Sequence, residues 1–76
     1  MNKERRKQLE EAVAKIEEAK SIIESVRDEE QDAFDNMPEG LQASERGEKM
    51  ETAIQNMDEA IDDIDTIIDN LNSASE

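Results

Sequence analysis

Apolar and small residues recur at alternating spacings of three and four in two long stretches, and this pattern constrains the fold more than any other feature. In the first stretch they are Leu9, Ala12, Ile16, Ala19, Ile23, Val26, Ala33 and Met37. In the second they are Ala43, Gly47, Met50, Ile54, Met57, Ile61, Ile64, Ile68 and Leu71. Such a repeat is typical of an amphipathic helix, whereas a half-buried strand would alternate every second residue. The chain is therefore expected to be all-α.

A proline and a glycine separate the two stretches. Pro38 has no amide hydrogen and disfavours helical geometry in the residue before it, so the first helix is expected to end near Asn36. Gly40 is expected to supply the backbone freedom for a chain reversal. Ser44, followed by acidic residues, is expected to cap the second helix.

A reversal at this point predicts a single domain, residues 1–76, folded as an antiparallel two-helix hairpin. The expected boundaries are helices at 3–36 and 44–72, a turn at 37–43 and a frayed tail at 73–76. Residues whose numbers sum to about 80 then lie opposite each other, so that Ala19 faces Ile61 and small packs against large. The reversal also brings the basic start of the first helix beside the acidic end of the second.

The apolar faces are wider than a two-helix seam requires. Four further apolar residues form a candidate apolar interface: Val13, Ile22, Phe34 and Ile67. A face of about three positions in seven is typical of a helix inside a bundle. For a 76-residue hairpin alone, the free energy gained from apolar burial roughly equals the conformational entropy lost, so the net free energy of folding is near zero. The pattern therefore predicts that the hairpin self-associates into a four-helix bundle or docks on a different protein.

Charge excludes several classes of partner. The chain has 22 acidic and nine basic residues, a net charge of −13. Binding to nucleic acid requires Lys and Arg to neutralise phosphates, and an anionic membrane surface would repel this chain, so neither partner is expected. No apolar run is long enough for a membrane span or a signal-peptide core, and there is no cysteine. A cytoplasmic protein is the expectation.

Six acidic residues of the second helix form a candidate acidic interaction face: Asp58, Glu59, Asp62, Asp63, Asp65 and Asp69. They lie within about 16 Å of helix, a charge density that approaches that of a nucleic-acid strand. Two interpretations stay open. The face is a solvated surface that promotes solubility, or it mimics nucleic acid and inhibits a host nucleic-acid-binding or defence protein.

Catalytic and metal-binding motifs are not found in the sequence. There is no His or Cys to activate a serine, and no glycine-rich loop to hold a phosphate. The acidic run lacks the central glycine of a calcium loop and falls within a helical pattern. Glu30, the one polar residue in the first stripe, is expected to pair with Lys49 and Arg46 at the edge of the seam. We therefore expect no enzyme activity, no cofactor and no metal.

The segment Pro38-Glu39-Gly40-Leu41-Gln42-Ala43-Ser44-Glu45-Arg46-Gly47-Glu48 resembles the turn of a group of small acidic helical proteins from bacteria and their phages. The resemblance covers the turn and the second helix, and Met37 stands where the group usually has Leu. That group has no established activity, so it assigns no functional residues here. It implies an accessory protein of a phage or mobile element. Together with the apolar edge, this predicts a non-enzymatic protein–protein interaction module.

Overall fold

The computed structural model describes residues 1–76, and all of its regular structure is helical. Helix α1 spans Lys3–Asp35, the short helix α2 spans Glu39–Gln42, and α3 spans Glu45–Ala74. The predicted all-α class is confirmed, and the predicted helices at 3–36 and 44–72 lie within two residues of the observed bounds. Neither long helix contains an apolar segment capable of crossing a membrane.

Local signals in the sequence set both helix starts. Asn2 caps α1, because its side-chain oxygen accepts a hydrogen bond of 2.8 Å from the amide of Arg5. Ser44 caps α3 as predicted, accepting from the amide of Gly47 at 3.4 Å. At the other end of α1, Asn36 is the C-cap residue. Pro38 follows two positions later and has no amide hydrogen with which to continue the helical hydrogen bonding.

The two long helices pack side by side as an extended pair measuring 58 × 15 × 12 Å. Side chains of three α1 residues donate hydrogen bonds across the pair: Arg6 Nε to Ser75 O at 2.7 Å, Lys20 Nζ to Asp65 Oδ1 at 2.6 Å, and Arg27 Nε to Asp58 Oδ1 at 2.8 Å. Residue numbers rise on α1 as they fall on α3, so the helices run in opposite directions. The partners' numbers sum to 81 and 85, slightly above the expected register, because side chains lean toward the N-terminus of their own helix.

The α3 side of the seam follows the predicted stripe. Every member from Gly47 to Leu71 is buried or half-buried, and only Ala43, before the helix, is exposed. Ile54, 6% exposed, is the one buried hydrophobic residue of the chain. The seam is therefore continuous along α3 but thin.

The α1 side differs from the prediction in one of its two columns. The column Leu9, Ile16, Ile23, Glu30 and Met37 is half-buried, as expected. In the second predicted column only Ala12 is half-buried, and Ala19, Val26 and Ala33 are exposed. The half-buried second column is instead Val13, Lys20, Arg27 and Phe34. Ala19, the predicted partner of Ile61, therefore lies outside the half-buried seam. Lys20 and Arg27 enter the seam because their apolar stems cover the neighbouring side chains while their charged ends reach carboxylates on α3.

Glycine acts in the turn differently from the prediction. No glycine has a positive φ, so Gly40, within α2, does not use its special backbone freedom. Gly47 matters instead, because a Cβ there would lie 2.6 Å from Gln42 C, 2.7 Å from Leu41 O, and closer still to Gln42 O. Gln42 also closes the turn, as its Nε2 donates to Phe34 O at 3.0 Å and to Met37 O at 3.2 Å.

Alanine at the two glycines is expected to have opposite effects on stability. Gly47→Ala forces α2 away from α3 and is expected to lower the free energy of unfolding by about 1–3 kcal/mol. Gly40→Ala, whose Cβ would meet nothing within 4 Å, is expected to be neutral or to stabilise by up to about 1 kcal/mol. Urea unfolding followed by circular dichroism measures both changes. Equal midpoints for the two variants would contradict the close approach at Gly47.

Candidate functional site

One side of the helix pair carries two ion pairs that cross from α1 to α3. Lys20 Nζ lies 2.6 Å from Asp65 Oδ1, and Arg27 Nε lies 2.8 Å from Asp58 Oδ1. The cationic side chains are only 25% and 27% exposed, whereas their acidic partners are about half exposed. The hydrogen bond that Lys20 donates to Asp65 raises the pKa of the Lys20 ammonium group, and the hydrogen bond that Arg27 donates to Asp58 raises the pKa of the Arg27 guanidinium. We call this the ion-pair side.

The candidate acidic face is exposed but is divided by these contacts. All six of its residues are exposed. Asp58 and Asp65 are turned to the cations of α1, whereas the other four form no ion pair: Glu59, Asp62, Asp63 and Asp69. The residues that the sequence groups as one face therefore have two roles. Two of them form ion pairs with α1, and four present charge to solvent.

Other predicted charge contacts are not formed. Glu30 is half-buried but has no ion pair, and Lys49 pairs within its own helix with Glu45 at 3.3 Å. The predicted pairing of Glu30 with Lys49 and Arg46 is therefore wrong. The basic start of α1 does lie beside the end of α3, but Arg6 donates there to the carbonyl of Ser75 and not to a carboxylate. This contact satisfies an otherwise free acceptor at the helix end.

The opposite side of the pair is apolar. On α1, Lys20 and Arg27 lie on the ion-pair side of the column that contains Ile16 and Ile23. The residues on the other side of that column are Ala12, Ala19, Val26 and Ala33. On α3, Asp58 and Asp65 adjoin the column of Ile54 and Ile61, so the corresponding far flank is Ala53, Ala60, Ile67 and Ala74. The two flanks run side by side because the helices are antiparallel. With Ile22, next to Val26 on the helix surface, they form what we call the apolar strip.

The predicted apolar interface residues fall in two places. Val13 and Phe34 are half-buried and belong to the seam between α1 and α3. Ile22 and Ile67 belong to the apolar strip and are 66% and 46% exposed. Val26, which the sequence placed in the seam, is 49% exposed and also belongs to the strip. Three large aliphatic side chains thus lie in the open on a surface otherwise built of alanine.

The surface grooves of the pair are open and lined mainly by charged or amide side chains. The one nearest the seam, about 270 Å³, lies between Arg27, Gln31 and Asp58, beside Ile54. No group of three or more His, Cys, Asp or Glu side chains is arranged to hold a metal ion. The ion-pair side and the apolar strip are therefore the two surfaces with a distinct chemistry.

Sequence reasoning missed Lys20, Arg27 and Gln42 and undervalued Gly47. A signal for the first two was present, since two cations seven residues apart on α1 match two acids seven apart on α3, Asp58 and Asp65. Reading α1 with a spacing of four and then three from Leu9 would have placed both cations in the seam. No comparable pattern marks Gln42, because its role depends on the path of the turn.

The Lys20–Asp65 contact predicts a loss of stability at high pH. Because the folded state raises the pKa of Lys20 above 10.5, the contribution is complete below that pH and is lost as the pH rises through the folded-state value. The urea midpoint of the wild type is expected to fall between about pH 9 and about pH 11.5 by more than that of Lys20→Arg, which stays charged. Lys15→Arg is the control, since Lys15 has no ion pair and should leave the wild-type fall unchanged. An equal fall in Lys20→Arg and wild type would contradict the assignment.

Comparison of the chain with protein-family models, with curated proteins and with solved structures gives no match. Functional inference therefore comes from the surfaces of the chain itself. The resemblance of the turn segment to small acidic phage and bacterial proteins stays a prediction.

Proposed function

We propose that this protein is a non-enzymatic protein–protein interaction module: a helical hairpin that docks its apolar strip on a second copy to form a four-helix bundle. The observation that carries the proposal is the strip itself. The apolar residues that lie outside the seam are on the same side of the pair in both helices, and among them Ile22, Val26 and Ile67 are exposed. Apolar flanks on opposite sides would instead suit separate contacts.

The extent of exposed surface supports the proposal. The chain exposes 5659 Å², about 1,000 Å² more than a compact monomer of 8.6 kDa is expected to expose. A standard protein–protein interface buries about 800 Å² on each partner. The excess is therefore the size of one interface, and covering the strip would bring the surface of the chain close to that of an ordinary small protein.

The composition of the strip suits helix-on-helix packing. Alanines on the two flanks let a second pair of helices approach closely, and the large side chains at Ile22, Val26 and Ile67 can then pack between them. Burial inside the pair is slight, because Ile54 and Gly47 are its only buried residues. When a second copy covers the apolar strip, the additional apolar burial that a chain of this length requires is provided.

The ion pairs weigh against the nucleic-acid mimic as the main function. Asp58 and Asp65 are already paired to Arg27 and Lys20, so the free acids are fewer and less regularly spaced than the sequence suggests. Replacing Asp58 and Asp65 would also disturb the helix pair, and a loss of binding in such a variant would not identify a mimic. The resemblance of the turn segment supports a setting among cytoplasmic accessory proteins of phages or mobile elements.

A charge placed in the apolar strip is expected to abolish self-association. Ile22→Glu and Ile67→Glu each introduce a carboxylate that would lose its water in the interface, so each is expected to weaken the dimer at least tenfold. Sedimentation equilibrium across micromolar concentrations measures the change. Ser21→Glu is the matched control for Ile22→Glu, since it adds the same charge at the neighbouring exposed position, outside the strip.

Two outcomes would refute the proposed function. One is a wild-type chain that sediments as a monomer at all these concentrations and melts independently of concentration. The other is a Ser21→Glu variant that dissociates as readily as Ile22→Glu, because the weakening of the dimer would then result from net charge and not from the apolar strip. Circular dichroism of each variant confirms that its helices are intact.

A further inference from the structure

The negative charge of the helix pair is concentrated at its turn end. The Lys20–Asp65 contact marks the middle of the pair and divides it into two halves. The open half, residues 1–20 and 65–76, has six bases and eight acids, a net charge of −2. The turn half, residues 21–64, has three bases and fourteen acids, a net charge of −11.

The unevenness has a local origin at each end. At the open end, four of the five residues from Lys3 to Lys7 are basic, and none of them forms an ion pair with a carboxylate. At the turn end, no basic residue occurs between Arg27 and Arg46, a stretch that contains seven acids. The charge of −13 is therefore distributed unevenly along the length of the pair, and most of it lies in the turn half.

Two orientations would let a second copy cover the apolar strip. In the first, both turns lie at the same end of the bundle, and in the second, one copy is inverted end for end. Each can place every helix antiparallel to its neighbours, so helix dipoles and apolar packing do not choose between them. Charge does. When both turns lie at the same end, two halves of net charge −11 lie side by side there, and the product of their charges is 121. Inversion instead places a half of net charge −11 beside a half of net charge −2 at each end, and the product of those charges is 22.

We propose that the strip is covered by a second copy inverted end for end, with the basic start of α1 in each copy beside the acidic turn of the other. This inference rests on the proposed function, and it names the partner's orientation and the charge distribution that selects it. Packed helices lie about 8–10 Å apart, close to the screening length at physiological salt, so the selection persists there and weakens as salt rises.

A single label per chain distinguishes the two orientations. The chain has no cysteine, so Gly40→Cys gives one labelling site, and a Cβ at Gly40 meets nothing within 4 Å. In the inverted dimer the two labels lie at opposite ends, separated by about 50 Å, roughly the length of α1. With equal polarity they lie roughly 10–20 Å apart. Electron–electron distance measurement on the labelled dimer should give the long distance.

A charge-exchanged variant provides the matched control. Lys3→Glu, Lys7→Glu, Asp32→Lys and Asp35→Lys together keep the net charge at −13 but make the halves −6 and −7. All four positions are exposed, and the exchanges place acids at the start of α1 and bases at its end, which favours the helix. The orientations then become nearly equal in energy, so both distances are expected in the same sample.

The outcomes separate the two proposals. A dimer with only the short distance in the wild-type background overturns the inverted orientation and leaves the proposed function standing. A charge-exchanged variant that keeps only the long distance overturns the role of charge. A labelled chain that remains monomeric, together with a monomeric unlabelled chain, overturns the proposed function and the orientation with it.

Discussion

The packing of α1 on α3 along a single seam is the constraint on which the rest of the structure depends. Two helices side by side can cover only one face of each other, and here that face includes Lys20 and Arg27 on α1 and leaves Ile54 as the one buried hydrophobic residue. The apolar stems of these two cations lie at the seam and their charged ends contact carboxylates, so one side of the helix pair is lined by ion pairs. The apolar residues that the seam does not use then collect on the other side. The apolar strip is thus a direct result of which residues fill the seam.

Much of the fold follows from the sequence, and the part that does not has a definite physical cause. On α3 the apolar side chains are large and regularly spaced, so only one face could be buried. On α1 two columns compete for the same place beside Ile16 and Ile23. One is made of alanines and Val26, and the other contains long cations. Hydropathy favours the first, but the second reaches acids on the opposite helix, and a single-helix pattern carries no information about that helix. Both candidate surfaces were therefore recognisable by composition, whereas the side on which each residue lies was not.

The turn shows the same limit at a smaller scale. Pro38 ends α1 for a reason that lies within two residues of sequence, and Ser44 caps α3 in the same local way, so both were predictable. The role of Gly47 depends on the carbonyls of Leu41 and Gln42 coming within reach of its Cα, which only the folded path of α2 brings about. The glycine that matters is the one at a close contact between segments, not the one nearest the reversal.

The spacing of the ion pairs has a further consequence for register. Glu51, Asp58 and Asp65 form a ladder of acids seven residues apart along α3, and the two cations of α1 have the same spacing. A slide of one helix past the other by seven residues, about 10 Å, would let Lys20 meet Asp58 while Arg27 meets Glu51, so the charges alone would accept the shifted state. What stops the slide is the turn, where Gln42 is bonded to the end of α1 and packed against Gly47. The charged ladder fixes how α1 is rotated against α3, and the turn fixes how far along α3 it sits.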